Sequence, residues 1–161
     1  MISLQFVLGS SFSSRAIAWF GQGTGGFSHV DAVLPSGELL GARNDAVGGK
    51  PPGIWIRPAF YEHWVSRCVV ELPVAAPEAA LWEKWLRLMV GSPYDQGAIL
   101  GFIFGQKWHE PGHWICSALQ TGALKHIGML HTLPVNESQV TPDTLLMMVT
   151  GGLGGSFRVY D

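Results

Sequence analysis

With 161 residues, 47% of them hydrophobic, the chain is long enough to bury one core and too short for two ordinary domains, so a single domain over residues 1–161 is expected. Ten basic residues scattered among twelve acidic ones give a formal charge of -2, which leaves no electrostatic footprint for nucleic acid or for an anionic membrane surface. Two cysteines make no disulfide framework; reduced thiols are expected, with a single Cys68 to Cys116 bridge left open.

The opening MISLQFVLGSSFSSRA has no basic residue before Arg15 and so lacks the charged start of a secretory signal. AILGFIFG is interrupted by glycine and falls far short of the roughly 20 apolar residues that a membrane span needs. The expectation is a protein made in the cytoplasm, with no integral membrane segment.

ISLQFVL alternates as a strand does, and SSRAIAWFGQG, with serines at its start and glycine at its end, predicts a short helix. HVDAVL and ELLGAR, joined by Pro35-Ser36-Gly37, form the pattern of a β-hairpin, which puts His29 at the start of a paired strand. NDAVGGKPPG predicts a loop, IWIRP a short strand and RCVVELPV a stronger one. PEAALWEKWLRLMVG is the clearest helix, with Leu81, Trp82, Trp85, Leu86 and Met89 along one face. Asp95 can cap a second, apolar helix running through Phe104, and Ser117 to Ile127 predicts a third that stops at Gly128. TPDTLLMMVTGGLGGSFRVYD is expected to hold a buried strand, a glycine turn and a last strand.

Several motifs carry little. Gly21-Gln22-Gly23-Thr24-Gly25-Gly26 has the spacing of a dinucleotide fingerprint, but here a helix precedes it and a strand follows, the reverse of what a pyrophosphate at a helix N-terminus requires. His109 and His113 are four apart with Pro111-Gly112 between them, which forbids the helix that would bring both to one metal. His63, His126 and His131 have no partner spacing and are expected at the surface; Cys68, inside an apolar strand, is expected to be a small buried hydrophobe. No metal and no cofactor are called for.

Cys116 differs. In HWICSALQTGAL an extended lead-in ends and a helix begins, so the sulfur sits at the positive end of that helix, where the dipole and a nearby imidazole can turn a thiol into a thiolate near neutral pH. The alternative reading of the same residue is a buried structural cysteine.

Tyr94, Cys116 and His29, with their surroundings, resemble the NlpC/P60 papain-like cysteine peptidases in their circularly permuted form, the YiiX-like and lecithin retinol acyltransferase-like group. Phe27-Ser28-His29-Val30 and its hairpin come first; Gly91-Ser92-Pro93-Tyr94-Asp95 and Ile115-Cys116-Ser117-Ala118-Leu119 come afterwards, which is the permuted order. Ser14-Arg15-Ala16-Ile17, Gly53 to Pro58 and Thr141-Pro142-Asp143 fit the same layout, so the resemblance runs from about residue 5 to about residue 147. It implies an α+β papain-like fold, an antiparallel sheet packed against helices, with Cys116 as nucleophile, His29 as general base and Tyr94, Ser28 and Ser117 lining the cleft. The implied activity is thiol hydrolysis of an amide in a cell-wall (peptidoglycan) peptide through an acyl-enzyme. The alternatives are a lipid acyl hydrolase or acyltransferase on the same dyad, or a catalytically weak binding module of a phage particle or envelope assembly.

Two positions depart from the family pattern. Ala118 stands where permuted members often carry glutamate, and Gly41 stands where a polar side chain orients the base. A backbone carbonyl, a water or a nearby side chain such as Asp31, Glu38 or Asn44 is left to hold the imidazole instead, the third orienting residue staying unassigned, and a polar side chain introduced at position 41 is expected to reach the imidazole.

Overall fold

The computed structural model describes residues 1–9, 26–97, 111–130 and 136–160. It is an α+β arrangement built on one open, antiparallel six-stranded sheet. In chain order the strands are β1 (Ile2–Gly9), β2 (His29–Val33), β3 (Leu39–Arg43), β4 (Gly53–Arg57), β5 (Trp64–Leu72) and β6 (Ser156–Tyr160). Among the described residues the helices are α1 (Ala76–Leu88), α2 (Cys116–His126) and α3 (Pro142–Met147). The strands lie in the order β4-β3-β2-β1-β5-β6, so β1 is central, flanked by β2 and β5.

Alternation along the strands builds the core. Leu4, Phe6, Val30, Ala32, Leu40, Ala42 and Ile54 are buried, and they form one cluster with Trp82 and Leu86 of α1 and Leu119, Ala123 and Leu124 of α2. The residues between them, Gln5, Asp31 and Arg43, are buried too, so β2 and β3 are covered on both faces. The predicted hairpin forms as expected: Gly37 takes φ 84°, a left-handed conformation that glycine adopts without strain, and β2 pairs with β3 through Ala32↔Leu40 and Val33↔Leu39.

Helix α1 begins with Pro77 in its first turn, and the Glu78 carboxylate accepts from the Ala75 amide at 3.0 Å. Its buried stripe is narrower than the sequence suggests. Trp82 and Leu86 are buried and Trp85 and Met89 partly so, but Leu81 is exposed. Residue 81 lies 100° behind Trp82 on the helical wheel, at the edge of an apolar stripe centred between residues 82 and 86.

The tail corrects a second expectation. The TLLMM stretch is not a strand: Pro142–Met147 is α-helix, continued by a π turn over Met148–Gly152, and only Ser156–Tyr160 is a strand. Thr141 caps it by accepting from the Thr144 amide at 3.1 Å, Pro142 is pre-set for the first turn, and Asp143 favours the positive end of the dipole. These start signals outweigh a short apolar run that periodicity alone cannot assign.

The predicted helix over residues 13–23, the glycine loop before Gly26, most of the helix after Asp95, His109 and His131 lie outside the described residues; Gln96 and Gly97, directly after Asp95, are helical. His63 and His126 are exposed. Both cysteines are free and buried. Among the described residues, no helix is long and apolar enough to cross a membrane, and no group of three or more His, Cys, Asp or Glu is arranged to hold a metal ion.

Candidate functional site

His29 opens β2, opposite Val7 of β1, and the chain leading into it is pinned at several points. The Phe27 amide donates to Asp143 Oδ1 at 2.8 Å, at the start of α3, and a Cβ on Gly26 would collide with that same carboxylate. Ser28 donates its amide to the Val7 carbonyl at 2.9 Å, and its hydroxyl lies 3.3 Å from both that carbonyl and the Gly9 amide. The Ser28 hydroxyl thus anchors the start of β2 to the edge of β1.

Cys116 is the first residue of α2, after Ile115 in extended backbone (φ -94°, ψ 163°). The approach is fixed by a parallel bridge between Trp114 and Tyr94, with Trp114 N to Pro93 O at 3.2 Å and Asp95 N to Trp114 O at 3.1 Å. Inside α2, the Ser117 hydroxyl donates to the Val140 carbonyl at 2.5 Å and Gln120 Nε2 donates to Leu40 O at 3.1 Å, tying the helix to the segment before α3 and to β3. Ser117 is wholly buried, and its hydroxyl helps to hold the framework beside Cys116. Tyr94 is buried close enough to Cys116 for the two ionisations to oppose each other; burial and then the Cys116 charge push its phenol well above the usual range.

Cys116 and His29 are brought together. Burial alone would raise the thiol's pKa, but the facing imidazole, which is also its hydrogen-bond partner, outweighs this, and the Val30 amide adds a further donor; the net direction is down. Burial likewise works against the imidazolium, yet the charges of Asp31 and of the Cys116 thiolate overcome it, and the His29 pKa rises to about 9. The two shifts support each other: each group's charge favours the other's, toward a thiolate facing an imidazolium.

The residue that orients the imidazole is Asp31. Two positions along β2 from His29, it projects from the same face, and its Oδ1 lies 2.8 Å from His29 Nε2. An ionised carboxylate only accepts, so Nε2 carries the proton and Nδ1 is left for the thiol. Burial opposes the Asp31 charge, but the imidazolium and the Tyr61 hydroxyl hold its carboxyl below the ordinary range. Of the other two candidates, Glu38 is exposed and accepts from the Ser36 hydroxyl in the hairpin turn, and Asn44 stands beyond the end of β3.

Gly41 then acquires a reason that sequence reasoning missed. A Cβ at this position would overlap Asp31 Oδ1 and stand 2.9 Å from its Cγ. The orienting carboxylate reaches across from the neighbouring strand into the space that a side chain at 41 would fill. The expectation that a polar residue introduced there would reach the imidazole is overturned, because that space is taken.

Tyr61, in the loop between β4 and β5, was not singled out in the sequence at all. Its hydroxyl donates to Asp31 Oδ2 at 2.8 Å and lies 3.2 Å from His29 Nε2. PAFYEHW carries no motif; only its place in the fold discloses it.

No family model matches this chain, and no match is found among curated proteins.

The two thiols are expected to differ in reactivity. Burial pushes the Cys68 thiol up, whereas Cys116 is drawn down. Iodoacetamide at pH 6 to 7 is expected to label Cys116 and to spare Cys68 until the protein unfolds, as read by peptide mass spectrometry after timed quenching. Equal labelling of the two would contradict the ion pair.

Proposed function

We propose that the protein is a thiol hydrolase of the permuted NlpC/P60 kind, with a papain-like fold, cleaving an amide of a cell-wall peptide through Cys116, His29 and Asp31. The observation that carries the reading is the line of thiol, imidazole and carboxylate, buried and already polarised toward a thiolate and an imidazolium. The substrate class comes from the resemblance of the motifs around His29, Tyr94 and Cys116.

The chemistry follows from the groups in place. The Cys116 sulfur attacks the amide carbonyl carbon, and the oxyanion that forms is met by the first amides of α2, which have no acceptor within the helix. His29 gives the Nδ1 proton to the departing amine as the C–N bond breaks, leaving a thioester. Water then attacks the thioester, His29 takes its proton, and the thiolate leaves as the carboxylic acid is released. Asp31 holds the ring and its charge throughout. A glycine at position 41 does not by itself favour a binding module, because it leaves room for the Asp31 carboxylate beside His29.

The test is incubation with purified muropeptides and, in parallel, with a diacyl phospholipid, followed by intact-protein mass spectrometry. A thioester adduct and a released amine from the peptide, both absent in Cys116→Ala, support the proposal. An adduct from the lipid alone moves the activity to acyl lipids, and no adduct from either moves the protein to the binding class.

The pH profile offers a second check. The alkaline limb of kcat/KM is expected near pH 9, where the imidazolium gives up its proton. Asp31 is one of the charges that keeps that proton on, so Asp31→Asn is expected to move the limb to lower pH and to cut the rate by about 10²-fold or more. An unmoved limb would show that Asp31 does not govern His29.

A further inference from the structure

We propose that Tyr61 is a positioning residue of this site, acting through Asp31 on His29; the inference rests on the Cys116, His29 and Asp31 reading given above. The geometry is specific. Asp31 Oδ1 faces the imidazole and Oδ2 accepts from the Tyr61 hydroxyl at 2.8 Å, so each oxygen has its own partner and the carboxylate cannot turn without losing one. The phenol's single proton is spent on Oδ2, so its oxygen, 3.2 Å from Nε2, is a second acceptor for the Nε2 proton. Phenol, carboxylate and imidazole thus close a ring of three contacts, with the Nε2 proton shared between two acceptors and the phenol proton held by Oδ2.

The phenol is itself held. The Arg43 guanidinium lies 5.6 Å and that of Arg57 5.7 Å from the centre of its ring, and Trp64 meets it edge-on at 5.2 Å. Both cations are fixed by other partners, Arg43 by Asp45 and Glu62, and Arg57 by the carbonyls of Gly41 and Val47. Burial, followed by the Asp31 charge, pushes the phenol's pKa up, so it remains a neutral donor wherever the imidazolium exists. Among the described residues, Asp31 is faced by His29 on its own strand, by Arg43 from β3, by Arg57 from β4 and by Tyr61 from the loop; His29 is faced also by Cys116 from α2 and interacts with Asp45 just beyond β3; Arg43 and Arg57 face the phenol, and Tyr94 interacts with Cys116.

Tyr61→Phe keeps the ring and its cation contacts and removes only the hydroxyl. Freed of it, the carboxylate and the imidazole are held less firmly opposite the thiolate. Alkylation of Cys116 by iodoacetamide at pH 6 is expected to slow about three- to tenfold, the value of one hydrogen bond, and its pH profile to move to higher pH. In an Asp31→Asn background the same change is expected to have little further effect, because the two residues act as one unit. In a sample labelled with 15N-histidine, the His29 ring signals are expected to move in Tyr61→Phe, while those of exposed His63 and His126 stay in place. A Tyr61→Phe profile that coincides with the parent's, or a penalty undiminished in the Asp31→Asn background, would overturn the proposal. Labelling needs no substrate, so a Tyr61 effect that persists without hydrolysis would count against the hydrolase reading and not against this one.

Discussion

Replacing His29 by alanine is expected to lower amide hydrolysis by about 10³-fold or more and to return Cys116 to the behaviour of a buried, unassisted thiol. The imidazole is the largest favourable influence on the Cys116 ionisation, by its charge and then by its hydrogen bond, and burial alone would drive the thiol the other way. Its removal therefore raises the thiol's pKa. Each unit of that rise cuts the thiolate fraction tenfold at pH values below the pKa; the greater nucleophilicity of a more basic thiolate returns about threefold, leaving a net loss of about threefold per unit in alkylation rate. Hydrolysis falls much further than alkylation, because the departing amine also loses its proton donor. Iodoacetamide kinetics from pH 5 to 9, beside muropeptide turnover, separate the two effects. An alkylation profile unchanged by His29→Ala would mean that the two groups do not interact, and the catalytic reading would fail with it.

The second large effect is expected at a glycine. Gly41→Ala adds one carbon where Asp31 Oδ1 now sits, so either the carboxylate is expelled from the imidazole or β3 must move away from β2. Neither is cheap. Asp31 is 1% exposed, and separating a buried charge from its partners typically costs about 3–5 kcal/mol, roughly 10 °C in the melting temperature of a domain of this size. Hydrolysis is expected to fall by about 10²-fold or more, and Gly41→Glu to be worse, because it adds a second carboxylate beside Asp31. The double variant Gly41→Ala with Asp31→Ala distinguishes the cause: it is expected to melt higher than Gly41→Ala alone, since the clash and the stranded charge disappear together. A Gly41→Ala protein with the parent's melting temperature and turnover would show that the space beside Asp31 is not needed.

These expectations divide along a line that the chain itself draws. The periodicity of ISLQFVL, the Pro35-Ser36-Gly37 turn between two apolar runs, and the glycine after Ile127 are local signals, and the elements they predict are present in the structure. His29 at a strand start and Cys116 at a helix start are local facts of the same kind, since both follow from which residues can begin an element. Local signals misled where two of them competed, as in the tail, where an apolar run suggested a strand and Thr141, Pro142 and Asp143 began a helix.

The partner of the imidazole is of another kind. Asp31, Glu38 and Asn44 are all polar and all near His29 in the chain, and only the pairing of β2 with β3 decides that Asp31 crosses to the space above Gly41 while Glu38 turns to Ser36. Tyr61 is thirty-two residues from His29 and reaches it because β4 and the loop after it bring the phenol back over Asp31. Backbone propensity acts over a few residues and so determined the elements; hydrogen bonds among buried side chains depend on register and on the absence of a single Cβ, which only the assembled sheet supplies.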